Sequence, residues 1–299
     1  MRWAELRRVE LKGAALLVAL LVPGAAAQTS FLNVATGSKG GTYATMYKNL
    51  GDMCVGASFL RERQTTGSVE SVDLLLSNAV SLAFVQLDVL KARDQIDGDP
   101  RAKEIRALLP LHQEEIHLLA KKPTRNFFGK VQGVTKFSEL GGKKVGAWGG
   151  SVVTANVLRG KSGVNLEVDA FPDRGAALAA LGSGQVDAVL AVVGQPAEWI
   201  KTLDPQTYNL LPLDIDAAKL QGFYQKAKVI YPQFGAGVET YSVQSLLVTR
   251  NFKTPDKKKQ LLKYAACARS KLTSLQEDEG MHPKWNDVTF KATDWPDYK

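Results

Sequence analysis

The chain is 299 residues long, with 38 Lys and Arg against 30 Asp and Glu, a net charge of +8, 45% hydrophobic residues and two cysteines. That length can bury a large core and build two domains. Two distant cysteines exclude a zinc cysteine set. The basic runs Lys121-Lys122 and Lys257-Lys258-Lys259 lack interleaved aromatics and read as solvated faces rather than a nucleic-acid stripe.

The N-terminus has the layout of a secretory signal peptide. Arg2, Arg7, Arg8 and Lys12 precede an apolar stretch from Gly13 to Val22, and Pro23-Gly24-Ala25-Ala26-Ala27 offers a small-residue cleavage site. Cleavage after Ala27 predicts an exported, periplasmic protein of net charge +6. No later stretch approaches the length of a membrane span, so the mature chain is expected to be soluble and not membrane-spanning. Cys54 and Cys267 then meet an oxidising compartment, and a disulfide between them is expected because both fall in segments assigned to one lobe. Two buried free thiols are the alternative.

Phe31 to Ala35 reads as a first strand, Thr36 to Thr42 as a glycine-rich turn, and Tyr43 to Met53 as a helix. That turn is either an ordinary strand-to-helix connection or an anion cradle, since glycines admit close approach and a helix start offers unpaired N–H groups. A strand over 57–64, the turn Thr65-Thr66-Gly67-Ser68 and a helix over 69–77 repeat the pattern, followed by a buried strand, Leu82 to Gln86. Separate strands are expected at Ile105–Pro110 and Ile116–Ala120, with a lobe crossing at Lys121-Lys122-Pro123. Val145–Trp148, Gly149-Gly150-Ser151 and Val152–Arg159 give a third strand, small-residue turn and helix. Strands follow at 168–171 and 186–193, with an alanine-rich helix over 175–181 between them, and a short helix begins after Gly194-Gln195-Pro196. A surface helix is expected over 215–229, a second crossing near 238–240, a return strand over 241–248 and one long helix over 257–275 before a strapping tail. Residues 74–84, LLLSNAVSLAF, echo 180–190, ALGSGQVDAVL, as helix, tight turn and strand, which predicts two lobes built from one α/β unit.

Catalytic patterns are scarce. HQEEIH is not the HExxH of a zinc protease, and no G-x-S-x-G elbow, complete P-loop or dinucleotide fingerprint occurs, so no enzyme, metal or cofactor is expected. What remains is three turns at helix starts, Gly40-Gly41-Thr42, Thr66-Gly67-Ser68 and Gly149-Gly150-Ser151. In an open α/β sheet such turns lie at the carboxyl ends of strands, where ligands collect. Two turns in one lobe and one in the other would aim N–H groups and hydroxyls at a shared anion.

The ordered series VATGSKGGTYATMYKNL, TTGSVESVDLLLSNAVSLAFVQLDVL, ELGGKKVGAWGGSVVTANVL, LGSGQVDAVLAVVGQPAEWI and VQSLLVTR resembles the TAXI family, the TRAP-associated extracytoplasmic solute receptors of type II periplasmic binding protein fold, over most of residues 31 to 250. The resemblance implies a two-lobed α/β fold, with lobe 1 over 28–121 and 239–299 and lobe 2 over 122–238. It implies capture of a small organic anion, a carboxylate or amino acid of glutamate-like or dicarboxylate type, and delivery to a TRAP-type membrane permease, the protein acting as a monomer. Carried over by position, Gly37, Ser38, Gly41, Thr42 and Tyr43 form a first binding loop, and Thr66, Gly67, Ser68 and Val69 a second. Gln86 ends its strand beside them, and Trp148, Gly150 and Ser151 face them across the cleft; Gln195 either joins this set or serves its own loop's hydrogen bonds. Two positions depart from the family: Trp148 precedes a turn that is often of Gly-Ser-Gly-Thr type, and Gln195 stands where His is frequent. An exported sensor that presents its ligand to a membrane receptor is the alternative role.

Overall fold

The computed structural model describes residues 31–56 and 59–299. The signal-peptide reading of residues 1–27 lies outside them. Two sets of three parallel strands flank a long antiparallel pair. In the first set β1 (Phe31–Ala35) lies between β2 (Phe59–Arg63) and β3 (Leu82–Gln86), with α1 (Thr42–Met53) and α2 (Ser68–Leu76) as crossovers. Beyond β3 come α3 (Leu87–Lys91) and the 17-residue β4 (Ile105–Lys121), then a small hairpin, β5 (Thr124–Arg125) and β6 (Val131–Gln132). In the second set β7 (Lys144–Trp148) lies between β8 (Glu167–Phe171) and β9 (Ala188–Val193), with α4 (Gly150–Ser162) and α5 (Arg174–Ser183) as crossovers. After α6 (Glu198–Lys201), β10 (Tyr208–Leu211), α7 (Ala217–Leu220) and β11 (Gln225–Val229), β12 (Val238–Arg250) runs back along β4. Helices α8 (Pro255–Ser270) and α9 (Leu272–Glu277) and the tail complete the chain.

The strand order is β2-β1-β3-β12-β4-β9-β7-β8, so each set has its first strand in the middle, its second outside and its third against the central pair. The echo between 74–84 and 180–190 is the local part of this duplication. In each copy a helix ends in a left-handed residue, Asn78 or Gly184, and returns as β3 or β9. Strands β4 and β12 change partners part-way. Glu115–Ala120 of β4 pairs with β9, whereas Ser245–Thr249 of β12 pairs with β3.

Three expected elements differ. Ile105–Pro110 and Ile116–Ala120 are one strand, because Pro110, which has no N–H to donate, sits where the β4–β12 register shifts. The polar run His112-Gln113-Glu114-Glu115 therefore lies inside β4. The helix expected over 215–229 is the single turn α7 followed by β11, which pairs with β12 through an alternating Gln-Lys-Ala-Lys-Val. Gly222, at φ +81°, turns the chain between them. The helix expected over 257–275 breaks at Lys271 into α8 and α9.

One apolar core packs Met46 and Leu50 of α1, Phe84 and Leu247 of the sheet, and Leu261 and Tyr264 of α8. Others lie around α2–α4 and under α5. A disulfide joins Cys54, at the end of α1, to Cys267 of α8. The tail straps the first set of strands: Trp285, fully buried, donates to Asn49 Oδ1 at 3.1 Å, and Trp295 donates to the Ile105 carbonyl at 3.2 Å. Among the described residues no helix is long and apolar enough to cross a membrane.

Candidate ligand-binding site

Helices α1, α2 and α4 all begin at the carboxyl ends of parallel strands, and all three have glycine as N-cap: Gly41, Gly67 and Gly149. None of these starts is closed by a side-chain cap. The first N–H groups of each helix, which in most helices are satisfied by Ser, Thr, Asp or Asn, are thus left for something else. They converge on one cavity of about 80 Å³, lined by Thr36, Gly37, Ser38, Gly41, Thr42, Tyr43, Thr66, Gly67, Ser68, Gln86, Glu114, Trp148, Gly150, Ser151, Val192 and Val193. An outer cleft of about 880 Å³ continues past Trp148 and Trp199 to Lys39, Arg174, Lys201 and His282.

The two sides are in contact at the turns. A Cβ built on Gly67 would stand 3.2 Å from Gly150 N, and one built on Gly149 would fall far inside van der Waals contact with the Thr66 carbonyl. The hydroxyls act alike in the two halves, although Ser68 opens the second crossover of its set and Ser151 lies in the first crossover of the other. Ser68 Oγ accepts from Gln86 N at 3.1 Å in one half, and Ser151 Oγ accepts from Val192 N at 3.0 Å in the other. Each serine ties its helix start to the third strand of its set.

Below the turns lies a buried polar cluster. Tyr43 donates to Glu114 Oε2, and the Gln86 side chain and the Gly194 N–H also hydrogen-bond that carboxylate. Burial pushes Glu114 up to about 7 against these bonds and the pull of Lys284, and it raises the Tyr43 phenol well above its usual range. Gln86, 4% exposed, keeps Oε1 without a hydrogen-bond partner. His112 meets Ser245 Oγ through Nδ1 at 3.0 Å, and burial lowers it to about 3, so it is neutral. Lys284 donates to Glu115 Oε1 and Asp287 Oδ2, each at 2.6 Å, which ties the C-terminal strap to β4.

A second buried carboxylate spans the two halves. Asp88 of α3 accepts from Thr154 of α4 at 2.6 Å and from Tyr224 at 2.9 Å, and burial raises it to about 6. Because the folded protein holds this proton more tightly than the unfolded chain, the associated stability is complete below pH 3.8 and is lost as pH rises through about 6. Asp88→Asn removes this dependence. The stability of the variant relative to wild type is expected to grow by on the order of 2 kcal/mol between about pH 4 and pH 7.5, read by denaturant titration at both pH values.

Twelve of the fourteen residues expected in the site line this cavity. Val69 does not; it packs against the core around α2. Gln195 does not either: its carboxamide donates to Lys228 O and accepts from Ile230 N, each at 2.9 Å, and so holds its own loop. Thr66 lines the cavity, but its hydroxyl donates to Glu70. Glu114 escaped the sequence reading because Gln113-Glu114-Glu115 looked like a polar break; a carboxylate pair inside the apolar run from Leu108 to Ala120 was the available signal. Trp199, edge-on to Trp148 at 6.1 Å with Arg174 over its ring at 5.6 Å, also escaped.

The family model described as NMT1-like family matches residues 34–274. The chain belongs to the NMT1-like family. This NMT1-like chain is similar in fold to an ancestral arginine-binding protein bound to arginine, at 14% identity and a TM-score of 0.51 over 80% of this chain and 92% of that one. It is similar to an arginine third transport system periplasmic binding protein from Legionella pneumophila, at 17% identity and 0.50 over 82% and 96%. It is also similar to the GluR0 ligand-binding core in complex with L-glutamate, at 12% and 0.51 over 83% and 96%. The NMT1-like chain thus has the two-lobed α/β fold of periplasmic binding proteins.

Proposed function

We propose that the protein is an exported solute-binding protein that closes on a small organic anion in the cavity between its two halves and delivers it to a TRAP-type membrane permease. The observation that carries this reading is the convergence of three uncapped glycine helix starts, from both sets of parallel strands, on one cavity. Their N–H groups suit a carboxylate, and the serine hydroxyls keep a proton to donate. The fold supports the reading, as do the arginine- and glutamate-bound neighbours; the TAXI resemblance supports the permease partner. Export rests on the signal-peptide pattern, with cleavage after Ala27 and a monomer in the periplasm. The lobes, 28–121 with 239–299 and 122–238, would move about β4 and β12 where these change partners. Binding shifts the open and closed populations and no reaction follows.

A screen of organic acids and amino acids at millimolar concentration is expected to give a thermal shift and closure by small-angle scattering; silence in both would sink the reading. In the Thr42→Ala/Ser68→Ala variant, affinity is expected to fall about tenfold or more. The variant stays folded, at a cost of about 1–2 kcal/mol for the Gln86 N–H that loses its acceptor. Unchanged affinity would move the site elsewhere.

A further inference from the structure

The cavity has two chemically opposite ends. The helix starts present donors, whereas Gln86 and Glu114 present a carbonyl oxygen without a partner and a carboxylate, 4% and 3% exposed. No Lys or Arg is among the residues lining the cavity, and the nearby Lys284 is already tied to Glu115 and Asp287. A dicarboxylate would bring two negative charges beside a buried third. The complement of an orphaned acceptor next to a buried carboxylate is a cationic donor with several N–H groups.

The two ends are also neighbours. Gly150 stands directly against the Gln86 carboxamide, and a Cβ there would lie 3.2 Å from Ser68 Cβ. A ligand spanning them carries its cation and anion close together, as on a single carbon atom. The remainder of such a ligand has room in the outer cleft, beside Trp148, Trp199 and Arg174.

We propose that Gln86 and Glu114 bind the ammonium group of the solute, so that the protein captures an α-amino acid as its zwitterion and its carboxylate rests on the helix starts. This rests on the reading of the cavity as a solute site. Capture is then linked to protons, because Glu114 meets an ammonium only as the carboxylate. The groups facing Glu114 are Tyr43 from α1, Gln86 and Asp88 from β3 and α3, His112 within β4 and Lys284 from the strap, with Glu115 and Asp287 beyond, acting on His112 and Lys284. His112 is neutral, and Lys284 is held by Glu115 and Asp287.

The test pairs proteinogenic L-amino acids with their des-amino analogues, such as glutamate with glutarate and alanine with propionate, by thermal shift and calorimetry on the mature protein. At least one amino acid is expected to bind more than about tenfold tighter than its analogue. Its binding is expected to strengthen from about pH 6 to pH 8 and to release protons, read by calorimetry in two buffers of different ionisation enthalpy. Glu114→Gln is expected to lose more than about tenfold in affinity together with the pH dependence. Wild-type calorimetry keeps the test decisive if that variant fails to fold. Equal or tighter binding of the analogue, or proton uptake on binding, would overturn the ammonium site and leave the solute-binding reading standing. Absence of binding by either class would end both.

Discussion

Gly149→Ala is expected to hold the protein open and to raise the dissociation constant of its ligand more than about tenfold, while leaving it folded. Gly149 has φ +51°, which L side chains rarely adopt, and its position is the N-cap of α4. An alanine Cβ there would press into the Thr66 carbonyl on the opposite wall, a backbone atom that no rotamer change can move. Relief comes only by drawing the halves apart, and the helix starts then no longer face one ligand together. Backbone strain adds on the order of 1–3 kcal/mol, within what a domain of this size survives. Small-angle scattering of the variant with saturating ligand should give the open profile, and a wild-type closed profile would refute the mechanism. Gly67→Ala is the companion, since its Cβ would meet Gly149 and Gly150 from the other side.

Removing the disulfide is the second large effect. Cys54 and Cys267 are 213 residues apart in sequence, so the bridge constrains nearly the whole unfolded chain. Chain entropy gives about 5 kcal/mol for such a loop, near the top of the range for a single bridge. Cys54→Ser/Cys267→Ser is expected to lower Tm by roughly 10 °C or more, and reductant should do the same to wild type but nothing further to the variant. Ligand affinity at low temperature should hardly change, because Cys54 sits at the C-terminal end of α1, whereas the cavity turn lies at its N-terminal end. Wild-type stability that reductant leaves untouched would contradict this account.

Local patterns made much of the fold legible. Phe31–Ala35 and Leu82–Gln86 are bounded by turns and wholly apolar or nearly so, and they are the strands β1 and β3. The three turns could be found because glycine and hydroxyl residues between an apolar strand and an amphipathic helix have few other uses. What escaped was set at long range. Glu114 resembles a surface residue until β12 and the strap bury it, and the alternation in Gln225–Val229 acquires meaning only beside β12. Of the two uses open to Gln195, the fold takes the local one: its sequence neighbours line the cleft, while its own carboxamide turns back to β11.

The doubled arrangement of strands has a consequence for how specificity can change. Gln86 and Val192 stand in equivalent third strands, and a serine fastens a helix start to each, Ser68 from α2 and Ser151 from α4, so the shared frame is indifferent to which solute lies between. Discrimination belongs to the side chains beyond that frame: Tyr43 and Glu114 on one side, Trp148 and Trp199 on the other. These are fixed by separate contacts, the first pair to each other and the second pair edge to face. The preference for the head of a ligand and the preference for its tail can therefore be altered independently, each half exchanging its wall while the other keeps its grip.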